Sequence, residues 1–151
     1  MFQEKKKITK NGRIIVQSLA HHNPEREDFE DHVLYIFNYA VCIGCFAFFV
    51  GIITALILAN IFYFTIANLI GLPLILSFFV FCGSSSILQY FIQIIKKKAL
   101  KNRLLKFIIR FLFPFGSVIL IFKNPILGFP LAISTGYLII YIRKIKNKIL
   151  L

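Results

Sequence analysis

The sequence between Val33 and Ile95 decides the fold, and it reads VLYIFNYAVCIGCFAFFVGIITALILANIFYFTIANLIGLPLILSFFVFCGSSSILQYFIQII. These 63 residues include no Asp, Glu, Lys or Arg. Surface helices and strands of soluble domains alternate apolar with charged positions, so a soluble domain could not accommodate this run. About 20 apolar residues in a helix cross a bilayer. The stretch therefore predicts two membrane spans joined by a turn.

The composition of the whole chain is typical of an integral membrane protein. Of its 151 residues, 58% are hydrophobic, and the mean hydropathy is +0.79. Average proteins are roughly 45–50% apolar. We expect no cleaved signal peptide, because the polar segment 1–32 precedes the first apolar run.

Apolar runs and turn residues divide the chain into five regions. We predict a polar cytoplasmic segment at 1–32, a transmembrane hairpin at 33–95, a basic cytoplasmic linker at 96–106, a shorter transmembrane hairpin at 107–142 and a basic cytoplasmic tail at 143–151. The third span would be only about 24 Å long as a helix, against about 30 Å of hydrocarbon. The fold class predicted is an all-α membrane protein with four transmembrane helices as two hairpins. A re-entrant second hairpin is the alternative.

Turn-forming and acidic residues set the limits of the individual elements. The first span is predicted from Tyr35 to Leu58, the second from Leu72 to Ile95 and the last from Ile126 to Ile142. The acidic residues at 25–31 could begin the helix that enters the membrane, since acids suit a first turn. The pattern also allows a short amphipathic helix near 12–20.

The placement of the basic residues predicts the orientation. All six acidic residues precede the first span, whereas the chain after Asp31 is purely basic. Lys and Arg near span ends favour the cytoplasmic side. With four spans, the N-terminal segment, the linker and the tail share one side, and Lys123 is the one base on the other. Both termini are therefore predicted to be cytoplasmic, in the cytoplasmic (inner) membrane or alternatively in an organelle membrane.

Two rows of small residues predict faces where helices pack together. Their spacing of three or four residues keeps each row on one helix face, and small residues let helix backbones approach closely in lipid. The rows are Ala40, Gly44, Ala47, Gly51, Ala55 and Ala59 in the first span, and Gly128, Ala132 and Gly136 in the last.

A polar stripe is predicted on one face of the second span. Its members are Cys82, Ser86, Gln89 and Gln93, spaced by four, three and four residues. Such side chains usually form bonds between helices, worth roughly 0.6–2 kcal/mol each. We favour that interpretation, and a water-filled path lined by the stripe is the alternative.

The bases of the linker are expected to contact anionic lipid head groups, at about 1 kcal/mol per base near the surface. Arg110 is the one charge within a span, and it shares a helix face with Arg103 and Lys106, so we expect it to snorkel to the cytoplasmic interface. Nucleic acid is not an expected partner, because the linker lacks aromatic residues for stacking. The predicted lipid contacts are Lys96, Lys97, Lys98, Lys101, Arg103, Lys106 and Arg110.

Cys42 and Cys45 form a CxxC sequence. Membrane redox proteins that use such a pair also need a second cysteine pair, and only Cys82 remains, so small buried hydrophobic residues are the favoured interpretation. His21, His22 and His32 have no recognised ligand spacing. We therefore expect neither a metal nor another cofactor.

The function predicted is a structural or assembly subunit of a larger membrane complex, without catalysis. No carboxylate lies within a span, although proton-coupled transporters generally use one. Phosphate-binding loops and nucleophile elbows are also missing from the sequence. The expected partners are membrane lipid and other membrane subunits or further copies of the chain. The alternatives are a self-assembling, holin-like pore and, more weakly, a membrane thiol redox protein using Cys42 and Cys45.

Overall fold

The structure, a computed structural model, describes residues 8–10, 13–15, 29–37, 39–97, 100 and 102–150. Four helices dominate it, and each is long and apolar enough to cross a membrane. They confirm the prediction of a multi-pass helical membrane protein. The helices are α1 (Ile43–Ile61), α2 (Leu72–Lys96), α3 (Arg103–Lys123) and α4 (Pro125–Leu150).

Four short strands precede α1 and form one sheet, which the all-α prediction did not include. The sheet order is β1-β2-β4-β3, with antiparallel outer pairs and a parallel pairing of β2 with β4. A 3-10 helix, Phe29–His32, leads directly into β3. The strands are β1 (Ile8–Lys10), β2 (Arg13–Ile15), β3 (Val33–Ile36) and β4 (Tyr39–Cys42).

The predicted start of the first span at Tyr35 is wrong, because α1 begins at Ile43. Residues 33–36 and 39–42 pair as an antiparallel hairpin, and Phe37 between them has a positive φ of 47°. Val, Ile and Tyr in this segment favour strands, and lack of charge alone cannot distinguish strand from helix. The helix suggested near 12–20 is wrong at the β2 residues, and the rest of it lies outside the described residues.

The other three helices begin or end close to the predicted limits, but α3 and α4 are longer than predicted. α3 begins at Arg103, where the Asn102 side chain accepts a hydrogen bond from the Leu105 N–H at 3.1 Å. Its 21 residues extend for about 31 Å, enough for a bilayer core. The third span was predicted to be shorter than the bilayer core because the charged first turn of α3 was assigned to the linker.

α3 is the central helix, since it packs against each of the other three. Gly51 of α1 lies against Pro114 of α3, while Gly128 of α4 lies against Ile121 and Gly116 lies against Cys82 of α2. Gly44 also approaches Arg110, so α1 is parallel to α3. Gly136 of α4 lies against Phe113, and Ser86 of α2 bonds to Ile109, so α4 and α2 are antiparallel to α3. Among the described residues, α1 has only marginal contact with α2, although the two are consecutive.

Candidate functional site

A cleft of about 880 Å³ lies between α1 and α4, with α3 as its floor. Its volume falls within the roughly 300–1,000 Å³ typical of ligand sites. The cleft exists because α1 and α4 both pack on α3 but not on each other. Phe49 of α1 and Ile133 and Tyr137 of α4 form its exposed rims, and Phe113 and Val118 of α3 line its floor.

Two guanidinium groups stand at one end of this otherwise apolar cleft. Arg110 extends from α3 and Arg143 from α4, and both lie within electrostatic range of Cys45 in the first turn of α1. A Cβ built on Gly44 would overlap the Arg110 guanidinium, so the missing side chain at Gly44 leaves the space that this group occupies. Arg110 therefore extends toward the end of the bundle where α1 and α3 begin, the direction that snorkelling requires.

Part of the Arg110 guanidinium is buried without a partner. Its Nε has no hydrogen-bond partner and no solvent access within the structure. Among the described residues, neither Arg110 nor Arg143 forms an ion pair with a carboxylate. This leaves two cations at the Cys45 end of the cleft.

The predicted polar stripe of α2 lies inside the chain. Cys82, Ser86, Gln89 and Gln93 are all buried. The Ser86 hydroxyl donates a hydrogen bond to the Ile109 carbonyl of α3 at 3.2 Å, a bond of the interhelical kind that the sequence predicted. Gln89 is only 6% exposed and lines the cleft, and its Oε1 has no hydrogen-bond partner in the part of the chain that the structure describes. In this arrangement the stripe is not free to line a pore between copies of the chain.

Lys106 was predicted to contact lipid, but the structure directs it elsewhere. It is only 3% exposed, and its Nζ donates a hydrogen bond to the Asp31 carbonyl at 2.7 Å. This bond ties α3 to the segment just before β3. Lys96, Lys97 and Arg103 are exposed, and Lys98 and Lys101 lie outside the described residues.

The small residues of α1 and α4 are placed at or near α3. Ala47, Gly51 and Ala55 are buried, and Gly44 is partly buried beneath Arg110. In α4, Gly128 is buried against Ile121, while Ala132 and Gly136 line the cleft. Ala40 is the exception: it was assigned to the packing face of a helix, but it lies in β4 and packs with Phe29 and Val33.

The cysteines are all free thiols, and they differ in exposure. Cys42 is buried at the end of β4, Cys45 is exposed in the first turn of α1, and Cys82 is buried in α2. Within the described residues, no group of three His, Cys, Asp or Glu side chains could hold a metal ion, and His21 and His22 lie outside them.

Sequence reasoning missed Arg143, which it assigned to the basic tail. A signal for it exists, because Arg143 lies seven residues after Gly136 and eleven after Ala132, on the same helix face. The row of small residues in α4 therefore ends in a cation. Extending that row by two turns would have predicted an arginine at the head of the cleft.

Comparison of the chain with protein-family models, with curated proteins and with solved structures found no match.

Proposed function

We propose that the chain is a non-catalytic subunit of a larger membrane complex and that it joins its partner through α4. The observation that carries this proposal is the exposure of α4. Only 11% of its membrane-crossing window is buried inside the chain, compared with 28–33% for the other three helices. A helix with so little cover from its own chain has most of its side available to another membrane protein.

Tyr137 gives this exposed surface a polar character. It lies near the middle of the α4 span and is 71% exposed, and its hydroxyl has no hydrogen-bond partner among the described residues. Tyr in membrane proteins is enriched at the two interfaces, where its hydroxyl reaches water. At mid-span that hydroxyl faces hydrocarbon and costs free energy unless it is hydrogen-bonded. A partner helix that offers an acceptor would remove this cost.

We also propose that both termini face the cytoplasm, in the cytoplasmic membrane. The direction of the chain alternates from α1 to α4, and this supports the orientation. It groups the bases before α1, between α2 and α3, and at the end of α4 on one side. Lys123 is the one Lys or Arg of the sequence at the opposite end. Moving the basic side across the membrane would oppose the preference of Lys and Arg for the cytoplasm.

The two alternative functions have less support. A lumen lined by Cys82, Ser86, Gln89 and Gln93 would require α2 to turn away from α3, where these residues are buried. A thiol redox function would use the exposed Cys45 with Cys42 beside it, but it would also need a second cysteine pair, and Cys82 is the one other cysteine and is buried in α2.

Site-specific photo-crosslinking tests the α4 assignment. A benzophenone amino acid replaces Tyr137 in the full chain, the cells are irradiated, and adducts are resolved by mass. We expect one discrete adduct with a second membrane protein, since benzophenone reacts with side chains in direct contact. The matched control places the same group at Ile53, an exposed residue of α1, where we expect lipid adducts only.

Three results would count against this assignment. Lipid adducts without any protein adduct at Tyr137 would mean that no protein partner contacts this face of α4. An adduct at twice the mass of the chain would assign the face to a second copy instead. Equal protein adducts at Tyr137 and Ile53 would mean that the contact is not specific to α4.

A further inference from the structure

We propose that the cleft between α1 and α4 binds one phospholipid, with an acyl chain along the apolar floor, its phosphate between Arg110 and Arg143, and a hydroxyl-bearing head group at Gln89. Phosphatidylglycerol has this chemistry. The inference does not depend on a partner protein. It goes beyond surface contact with lipid, because it assigns a bounded site within the helix bundle.

The two positive charges of the site favour the binding of an anion. Arg110 and Arg143 both line the cleft within electrostatic range of Cys45 and have no carboxylate partner among the described residues, and the Arg110 Nε is buried without a hydrogen bond there. Like charges at one end of a cleft repel each other, and the partly buried Arg110 is destabilised most unless an anion lies near it. Guanidinium groups bind phosphate through paired, charge-assisted hydrogen bonds. A phosphate at this point would satisfy both arginines.

Gln89 distinguishes the head group from a simple phosphate. Its Oε1 is a hydrogen-bond acceptor, it is buried without a partner, and Gln89 lines the same cleft. With the amide in this orientation, a phosphate oxygen, which is itself an acceptor, would not satisfy Oε1. A hydroxyl donor would, so the geometry favours a head group that carries both a phosphate and a free hydroxyl.

The rest of the cleft suits hydrocarbon. Below the arginines, its walls consist of side chains such as Ile52, Phe113, Val118 and Ile133. The rims are exposed on the outer surface of the bundle, which would face the bilayer in a membrane-spanning chain. A lipid could therefore enter sideways from the membrane, without passing through water.

Native mass spectrometry of the full chain in detergent tests the site. The chain is incubated with equal amounts of phosphatidylglycerol and phosphatidylcholine, and bound lipid is identified by mass. We expect one phosphatidylglycerol per chain, preferred by about tenfold or more, because the choline of phosphatidylcholine brings a positive charge toward the two arginines and offers no hydroxyl to Gln89. Arg110→Gln and Arg143→Gln should each reduce its retention by about tenfold.

Arg103→Gln is the matched control, because Arg103 is exposed on α3 outside the cleft. It removes the same charge and should leave retention unchanged. If it reduces retention as much as Arg110→Gln does, binding reflects general surface charge and the site is contradicted. Equal retention of phosphatidylcholine, or no retained lipid, would contradict it as well.

A second variant keeps both arginines and blocks the apolar part. A Cβ on Gly136 would meet the Phe113 ring at an ordinary 3.6 Å, and the further atoms of Gly136→Leu would take space from the cleft that Gly136 lines. We expect this variant to lose phosphatidylglycerol while its helix content and elution volume stay unchanged. Full retention would contradict a bound acyl chain. Displacement of the lipid by millimolar inorganic phosphate would likewise indicate a site for the free anion and overturn the lipid assignment.

Discussion

Replacing Gly51 with alanine is expected to destabilise the chain by about 2 kcal/mol, because the new methyl group would force α1 away from α3. A Cβ at Gly51 would lie 2.6 Å from the Phe111 carbonyl oxygen and 2.9 Å from Pro114 Cγ. Neither atom can yield, since one belongs to the backbone and the other to a closed ring. The free energy of unfolding, measured by titration of detergent-solubilised chain with a denaturing detergent, should therefore fall.

Gly44→Ala provides the graded control for Gly51 on the same helix. Its Cβ would also overlap a neighbour, but that neighbour is the far end of the flexible Arg110 side chain. The guanidinium can move aside, so we expect a smaller loss of stability than at Gly51. Equal effects at the two positions would contradict the view that α1 is held against the backbone of α3 at Gly51.

The second large effect is expected at Gly128, where α4 meets α3. A Cβ there would lie 2.7 Å from Ile121 Cα and 2.8 Å from Ile121 N, both backbone atoms of α3. The single residue Asn124 joins the two helices, so α4 cannot shift locally without changing its angle to α3. Gly128→Ala should destabilise the chain by about 2 kcal/mol, by the same unfolding measurement.

Gly136→Ala is the matched control on α4. Its Cβ would meet only the Phe113 ring, at 3.6 Å or more. Because alanine favours a helix over glycine by up to about 1 kcal/mol, this variant should be neutral or slightly more stable. If Gly136→Ala and Gly128→Ala lower stability equally, the loss would reflect any change in α4 rather than close contact with α3.

The membrane-spanning helices could be located from sequence wherever charge or a turn bounded them. α2 begins at the predicted Leu72, and Asn124 separates α3 from α4 just before Ile126, the predicted start of the last span. The first helix was misplaced because its N-terminal neighbour is also uncharged. Val33–Ile36 and Tyr39–Cys42 satisfy their backbone groups by pairing as strands, which hydropathy cannot distinguish from a helix.

The candidate site was only partly accessible to sequence reasoning. The helical periods placed Ser86 and Gln89 on one face and directed Arg110 toward the interface. They could not specify that α1 packs on α3 instead of on α2. That choice depends on how well the small residues of one helix fit the side chains of the other. The cleft results from the packing of both α1 and α4 on α3. Arg143 could therefore be assigned to the cleft only from the position of α4 in the structure.

We expect the chain to cross the membrane four times, with the end of α2 and the start of α3, which flank the linker, in the cytoplasm. Labelling of single introduced cysteines tests this topology. The starting chain has Cys42, Cys45 and Cys82 replaced by alanine. One cysteine replaces Asn68, an exposed residue between α1 and α2, and another replaces Lys96, an exposed residue at the end of α2.

An impermeant maleimide is then added to intact cells and to permeabilised cells. With this topology, we expect Asn68→Cys to be labelled in intact cells and Lys96→Cys to be labelled only after permeabilisation. Labelling of Lys96→Cys in intact cells, or labelling of both positions from the same side, would contradict it.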